Sequence, residues 1–267
     1  MSASSLYYWL WLAILFMCPG SQSLAQTSLE EICAPYQTAA IDTADIDEIP
    51  FGNGLLWKIE TTNGRHSHIF GTMHSQDLRV TSLPPVVRLA MAKSRELLIE
   101  VIPDEQSNAV FFRRMYADRK LLSEDLPDAL LEQLESIASA YNVDAKDVER
   151  LEPWAAFSLI GRLEPVNASS QDQVIYENFS RSEREVTGLE TMSELIDTLA
   201  GLPEDDQITI LTDTICNHSR IVADSENLLN MYVRQDLAGM VAFNQQPHHD
   251  EAVFDRFMQR VLYDRNK

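Results

Sequence analysis

Basic residues are scarce in this chain: 21 Lys and Arg stand against 41 Asp and Glu, a formal net charge of −20 at pH 7. So acidic a surface repels phosphate backbones and anionic headgroups, which argues against nucleic acid and anionic lipid as partners. Cysteine is scarcer still, with three in 267 residues. None falls in a Cys-x-x-Cys pair, so no zinc ribbon or dithiol redox centre is encoded. After residue 25 no apolar run approaches the ~20 residues that a membrane-spanning helix needs. Gly-x-Ser-x-Gly, His-Glu-x-x-His, a phosphate loop and Gly-x-Gly-x-x-Gly are all missing, which removes the usual serine hydrolases, zincins, P-loop enzymes and dinucleotide enzymes by motif. No tandem repeat, low-complexity tract or linker divides the chain.

What is present begins with a leader. Residues 1–25 carry no charged side chain, Leu6 to Cys18 is an unbroken apolar and aromatic run, and Ser23-Leu24-Ala25 offers small residues before Gln26. This pattern predicts a cleaved secretory signal peptide and an exported protein, periplasmic or secreted. Left uncleaved, the same segment would be an anchor, the one route by which this chain would meet a membrane. Residues 26–50 form a lead-in with an acidic patch from Asp42 to Glu48. Cys33 and Cys216 can form a disulfide in an oxidising compartment or remain unpaired, and spacing leaves both open.

From residue 51 the pattern is that of one α/β or α+β domain, a modest mixed sheet carrying many helices. Asn63-Gly64 lies between the strand-like runs 55–60 and 66–70, a strong signal for an N-terminal hairpin. Pro84-Pro85 opens a helix, and Leu97 to Val101 reads as a short buried strand stopped by Pro103. Helices are expected over Asn108–Tyr116, Pro127–Ala140, Ala145–Arg162 and Val174–Phe179. Glu185 to Glu190 repeats the pattern of an apolar strand ending in a carboxylate. From Met192 onward the chain is helical, with breaks near Gly201-Leu202-Pro203 and Gln246-Pro247.

Three residues carry the chemical interest. His74 follows Gly71-Thr72-Met73 at the end of a strand, where an imidazole can serve as metal ligand or general base. The plainer role is a hydrogen-bonded turn histidine. Glu100 closes Leu97-Leu98-Ile99, at the strand end where α/β sheets place their ligands, or else is a solvated carboxylate paired with Arg95. Glu190, in Gly188-Leu189-Glu190-Thr191, has the same character, with a helix-start carboxylate as its alternative. If the strand before His74 and the strand ending at Glu100 shared one sheet, the two side chains would meet at one edge with a metal or a water between them. His66, His68, His218 (placed mid-helix) and His248-His249 read as structural or surface residues. Asn167, Asn178 and Asn217 head glycosylation triplets of the kind that arise by chance.

Taken in order, Phe70-Gly71-Thr72-Met73-His74, Leu83-Pro84, Leu97-Leu98-Ile99-Glu100-Val101, Leu151-Glu152-Pro153-Trp154, Gly188-Leu189-Glu190-Thr191 and Leu262-Tyr263-Asp264-Arg265-Asn266 resemble the TraB/PrgY/GumN family, relatives of the Tiki proteases. The resemblance spans roughly residues 54–267 and implies an EreA/ChaN-like (Tiki-like) fold. It also implies a metal-dependent peptidase, with His74 and Glu100 as metal ligands, His74, Glu100 and Glu190 as catalytic residues, and Mn²⁺ or Co²⁺ favoured over Zn²⁺. The family's second Gly-x-x-His lies beyond the Arg-Asn segment. No other glycine here has a histidine three positions on, so the domain 51–267 is expected to be C-terminally incomplete. The resemblance therefore supports two expectations: an exported metal-dependent hydrolase acting on a peptide or protein, or a non-catalytic envelope protein that binds a peptide or pheromone.

Overall fold

The computed structural model describes residues 27–37, 49–118, 120–162, 168–243 and 249–265. The leader, the acidic patch 42–48, Asn167, His248 and Asn266 lie outside these residues. Within them the order is α1 (Leu29–Cys33), β1 (Leu56–Glu60), β2 (His66–Phe70), α2 (Leu78–Thr81), α3 (Pro85–Lys93), β3 (Glu96–Ile99) and α4 (Glu105–Arg114). There follow α5 (Asp128–Ser139), α6 (Ala145–Val148), α7 (Pro153–Ile160), α8 (Gln171–Ser180), β4 (Glu185–Gly188) and α9 (Met192–Ala200). Last come α10 (Glu204–Cys216), α11 (His218–Val233), α12 (Leu237–Phe243), α13 (Glu251–Met258) and a π-helical segment, Gln259–Asp264. This is the expected mixture of helices with few strands. No helix among the described residues is long and apolar enough to cross a membrane.

The hairpin forms where Asn63-Gly64 predicts it. Gly64 takes φ +78°, a left-handed conformation that glycine adopts without cost. Thr61 N donates to Arg65 O (2.8 Å) and Gly64 N to Thr61 O (2.9 Å), closing the turn. β1 then pairs antiparallel with β2, Leu56 opposite Phe70 and Glu60 opposite His66.

The sheet is divided, which corrects the expectation that the strands before His74 and Glu100 share one sheet. β2 pairs with β1, whereas β3 pairs in parallel with β4, Glu96 opposite Glu185 and Ile99 opposite Gly188. The tight turn supplies β2 with a partner locally. β3 finds a parallel partner only across a long crossover, here the helices α4 to α8.

One expected helix, Ala145–Arg162, is broken into α6 and α7. Pro153 sits in the first turn of α7 and pushes Glu152 into an extended conformation with ψ 145°. Glu152 N accordingly donates to Met115 O (2.8 Å) instead of continuing a helix. Other boundaries shift by a turn or less: α4 starts early because Asp104 caps it, accepting from Ser107 N. His218 is the first residue of α11 rather than a mid-helix residue.

The core is helical. Leu130 and Leu134 of α5, Trp154, Ala156 and Ile160 of α7, and Leu211 of α10 pack as one cluster. A smaller cluster, Leu55, Val80, Leu229 and Tyr232, lies beneath Phe70 and Met73 and supports the loop leading to His74. The disulfide forms: Cys33 of α1 is bonded to Cys216 of α10. Asn217 beside it is buried, its amide donating to Tyr36 O (3.1 Å) and Asp213 Oδ1 (2.8 Å), so a glycan there is sterically excluded.

The late helices are tied by an ion pair, with Arg256 of α13 donating from Nε and Nη2 to the buried Asp206 of α10, both at 2.7 Å. The hydrogen bond from Arg256 holds the Asp206 carboxyl below its usual 3.8, outweighing its burial. A depressed carboxylate contributes stability above its unfolded pKa and loses it as pH falls through the folded value. Asp206→Asn is therefore expected to lower the Tm at pH 7 by about 2–4 °C. The difference from the parent should shrink as the pH is taken below 3.8 in thermal melts.

Candidate functional site

The loop after β2 is held from both sides. Gly71 N donates to Leu55 O (2.8 Å), continuing the β1–β2 ladder by one residue. A Cβ at Gly71 would meet only ordinary contacts at 3.9 Å, so the described surroundings do not require glycine there. Two residues on, Met73 N donates to Gln171 Oε1 (2.9 Å), and Gln171 N donates to Ser75 O (3.0 Å). Gln171 is fully buried, and its amide nitrogen donates to Val80 O (2.7 Å). The Tyr232 hydroxyl lies 2.9 Å from both Gly71 O and Gln171 Oε1. Every polar atom of this buried amide is thereby satisfied, and the His74 loop is fastened to the first turn of α8.

The next residue of α8, Asp172, receives His74. Its Oδ2 is 2.7 Å from His74 Nδ1, and the carboxylate side chain is 17% exposed against 76% for the imidazole. The hydrogen bond to Asp172 raises the His74 pKa above 6.5; burial opposes it, the charges of Asp172 and Glu100 assist, and Arg265 opposes. Burial pushes Asp172 up, but the bonds and charge of His74, with a bond from Thr72, outweigh it and leave the carboxyl below its usual range. An ionised Asp172 therefore faces Nδ1–H. This leaves Nε2 of a largely exposed ring to accept a proton or a ligand.

Glu100 and Glu190 arrive from the β3–β4 pair. The ladder runs past the strand ends, Leu189 N donating to Ile99 O (2.8 Å) and Glu190 N to Glu100 O (3.0 Å), so the two carboxylates stand abreast. Both turn to Arg265. Its Nη2 donates to Glu100 Oε2 (2.8 Å) and its Nε to Glu190 Oε1 (2.7 Å), with Nη2 also reaching Glu190. Glu100 thus pairs with Arg265 and not with its sequence neighbour Arg95. The helix after Glu190 is capped by Thr191 and Glu194, so Glu190 is not needed as its start.

The charges of Glu100 and Arg265 reach His74, so the His74–Asp172 pair and the Glu100–Arg265–Glu190 cluster lie near one another, although His74 and Glu100 follow strands of separate sheets. Asp172 and Gln171 were not singled out from sequence; the only signal was Ser170, which caps α8 by accepting from Gln173 N. His66 and His68 stack edge to face on the hairpin at 5.5 Å. His218 lies 3.3 Å from the Tyr141 hydroxyl, and His249 packs on Tyr36 at 4.1 Å.

The model of the TraB/PrgY/gumN family matches residues 55–267. The chain belongs to this family. Comparison with curated proteins finds no match, and neither does comparison with solved structures. The TraB/PrgY/gumN match takes in every residue of the site, from His74 through Glu100, Asp172 and Glu190 to Arg265. Among the described residues no group of three or more His, Cys, Asp or Glu is gathered as metal ligands. In this arrangement Glu100 and Glu190 spend oxygens on Arg265 and His74 spends Nδ1 on Asp172, so the donors do not fit a divalent ion as they stand.

Proposed function

We propose that this protein is an exported hydrolase acting on peptides, with His74 as its proton-handling residue. The observation that carries the reading is the 2.7 Å contact between an exposed imidazole and a shielded carboxylate. Family membership and the clustering of Glu100, Glu190 and Arg265 beside it support the reading, as does the Cys33–Cys216 bond for an oxidising compartment. His74 Nε2 would take a proton from a water as its oxygen attacks the scissile carbonyl, and would return that proton to the leaving amine. Asp172 would keep the ring in the tautomer this requires. Mn²⁺ or Co²⁺, with Zn²⁺ as the other choice, is the ion that the family resemblance names. No step is assigned to it, because the donors as arranged do not complete its site.

The test is cleavage of a mixed peptide library by the purified protein, read by mass spectrometry with EDTA or with added Mn²⁺ or Co²⁺. His74→Ala should lower the rate by roughly 10²-fold or more. Equal cleavage by the variant would overturn the reading. One observation favours a second reading, a peptide-binding envelope protein without catalysis: both glutamates are already paired with Arg265. Calorimetric peptide binding unaffected by EDTA, in a protein that cleaves nothing, would establish that alternative.

A further inference from the structure

The residue before each member of the His74–Asp172 pair is already joined to its counterpart, Met73 N donating to Gln171 Oε1 at 2.9 Å. One further group reaches both sides of this junction. The Tyr232 hydroxyl of α11, 2.9 Å from Gly71 O and from Gln171 Oε1, bridges the end of β2 to the start of α8. Tyr232 is 5% exposed and packs with Leu55, Val80 and Leu229, which leaves its ring little room to swing. Burial pushes its pKa up to about 12; the bond to Gln171 opposes this and the charge of Asp172 assists. The hydroxyl therefore keeps its proton near neutrality and acts as a donor.

The helix that carries Tyr232 is itself tied to the chain beyond His74. Earlier in α11, Glu226 accepts from Nη1 and Nη2 of Arg79 at 2.8 and 3.0 Å. Arg79 is held in turn by Asp77, the cap of α2, whose own backbone nitrogen donates to Ser75 Oγ (3.1 Å). α11 thus grips the loop on both sides of the imidazole, through Gly71 before it and through Arg79 after it. We infer that Tyr232 is a positioning residue, which through Gln171 sets the His74 ring against Asp172 and so selects its Nδ1–H tautomer. The role is indirect, exercised through residues 71–73 and the Gln171 amide. It rests on the hydrolase reading for the use made of that tautomer, but not for the contacts that fix it.

The experiment is a long-range proton–nitrogen NMR spectrum of the full chain with labelled histidine, recorded without substrate at a pH where the imidazole is neutral. His74→Gln identifies the His74 signals by their loss, and in the parent these should report the Nδ1–H form. Tyr232→Phe keeps the ring in its apolar cluster and leaves Gln171 Oε1 bonded to Met73 N. It should move the tautomer ratio roughly two- to tenfold toward Nε2–H, the effect of one lost hydrogen bond. In an Asp172→Asn background the same substitution should leave the ratio nearly unchanged, because Tyr232 acts through that partner. An unmoved ratio in a folded Tyr232→Phe would overturn the inference, as would an equal shift in the Asp172→Asn background, the mark of a general loosening. Should Tyr232→Phe fail to fold, Gln171→Asn is read in its place, since it draws the amide oxygen away from Met73 N and the hydroxyl. The same shift then supports the inference and its absence overturns it. A shifted ratio supports the inference whether or not peptides are cleaved, so its failure is distinct from that of the hydrolase reading, which is judged by cleavage.

Discussion

Asp172→Asn is expected to cut kcat for peptide cleavage by about 10²- to 10⁴-fold while leaving KM nearly unchanged. The side chain keeps its size, so the loop and α8 should stay in place; what changes is the proton on His74. An ionised Asp172 can only accept at Nδ1, which fixes the tautomer. Asparagine can present either its oxygen or its NH₂ group, and the second choice would place the ring proton on Nε2, where it blocks proton acceptance. A pH profile separates this from a folding defect. In the parent, the acid limb of kcat should lie above the ordinary histidine value of 6.5, because the bond to Asp172 raises the His74 pKa. In Asp172→Asn that limb should move to lower pH, since the neutral amide no longer stabilises the imidazolium. An unchanged limb would show that Asp172 does not govern the imidazole.

The second large effect is on stability. Trp154 is 2% exposed and central to the helical core, and its ring meets Phe111 edge to face at 5.8 Å. Its backbone nitrogen donates to the buried Gln207 side chain (3.2 Å), which links α7 to the start of α10. Trp154→Ala removes the largest fully buried side chain among the described residues. The surrounding helices are close-packed and pinned by α10, so the space left would collapse only in part. The expected cost is about 3–5 kcal/mol, read as a lower urea midpoint with the disulfide intact. A loss under about 1 kcal/mol would mean the core relaxes around the cavity, contrary to the packing described.

Local signals carried the elements of this fold well and their assembly poorly. Asn63-Gly64 announces the hairpin because a left-handed glycine and two flanking β-runs have few other solutions. Leu97 to Val101 and Glu185 to Glu190 read as strands ending in carboxylates; β3 and β4 form there, stopping at Ile99 and Gly188 just short of Glu100 and Glu190, and Leu98 is exposed where a buried strand is expected. The ladder between them was hidden, since nothing within a strand names a parallel partner 89 residues on, as Glu96 and Glu185 are. Pro153 was the misread local signal: its ring ends the preceding helix, and the apolar stripe on either side conceals that break. In the site, His74 was legible because a strand-end Gly-Thr turn presents it. Asp172 was not, because its partner lies 98 residues away and a carboxylate in a helix's first turn has an ordinary explanation in the dipole. Arg265 is more distant still, 165 residues from Glu100. Its segment stood out by resemblance, but only coordinates assign it a role.

The bond between Cys33 and Cys216 encloses 183 residues of separation, so both two-stranded sheets and the site loops from His74 to Glu190 lie inside one covalent ring. A protease that cuts a surface loop anywhere within that ring releases nothing: both ends stay tethered, and the severed halves can remain folded around the same imidazole. Were the protein exported, as proposed above, a single scission among extracytoplasmic proteases would thereby be survivable.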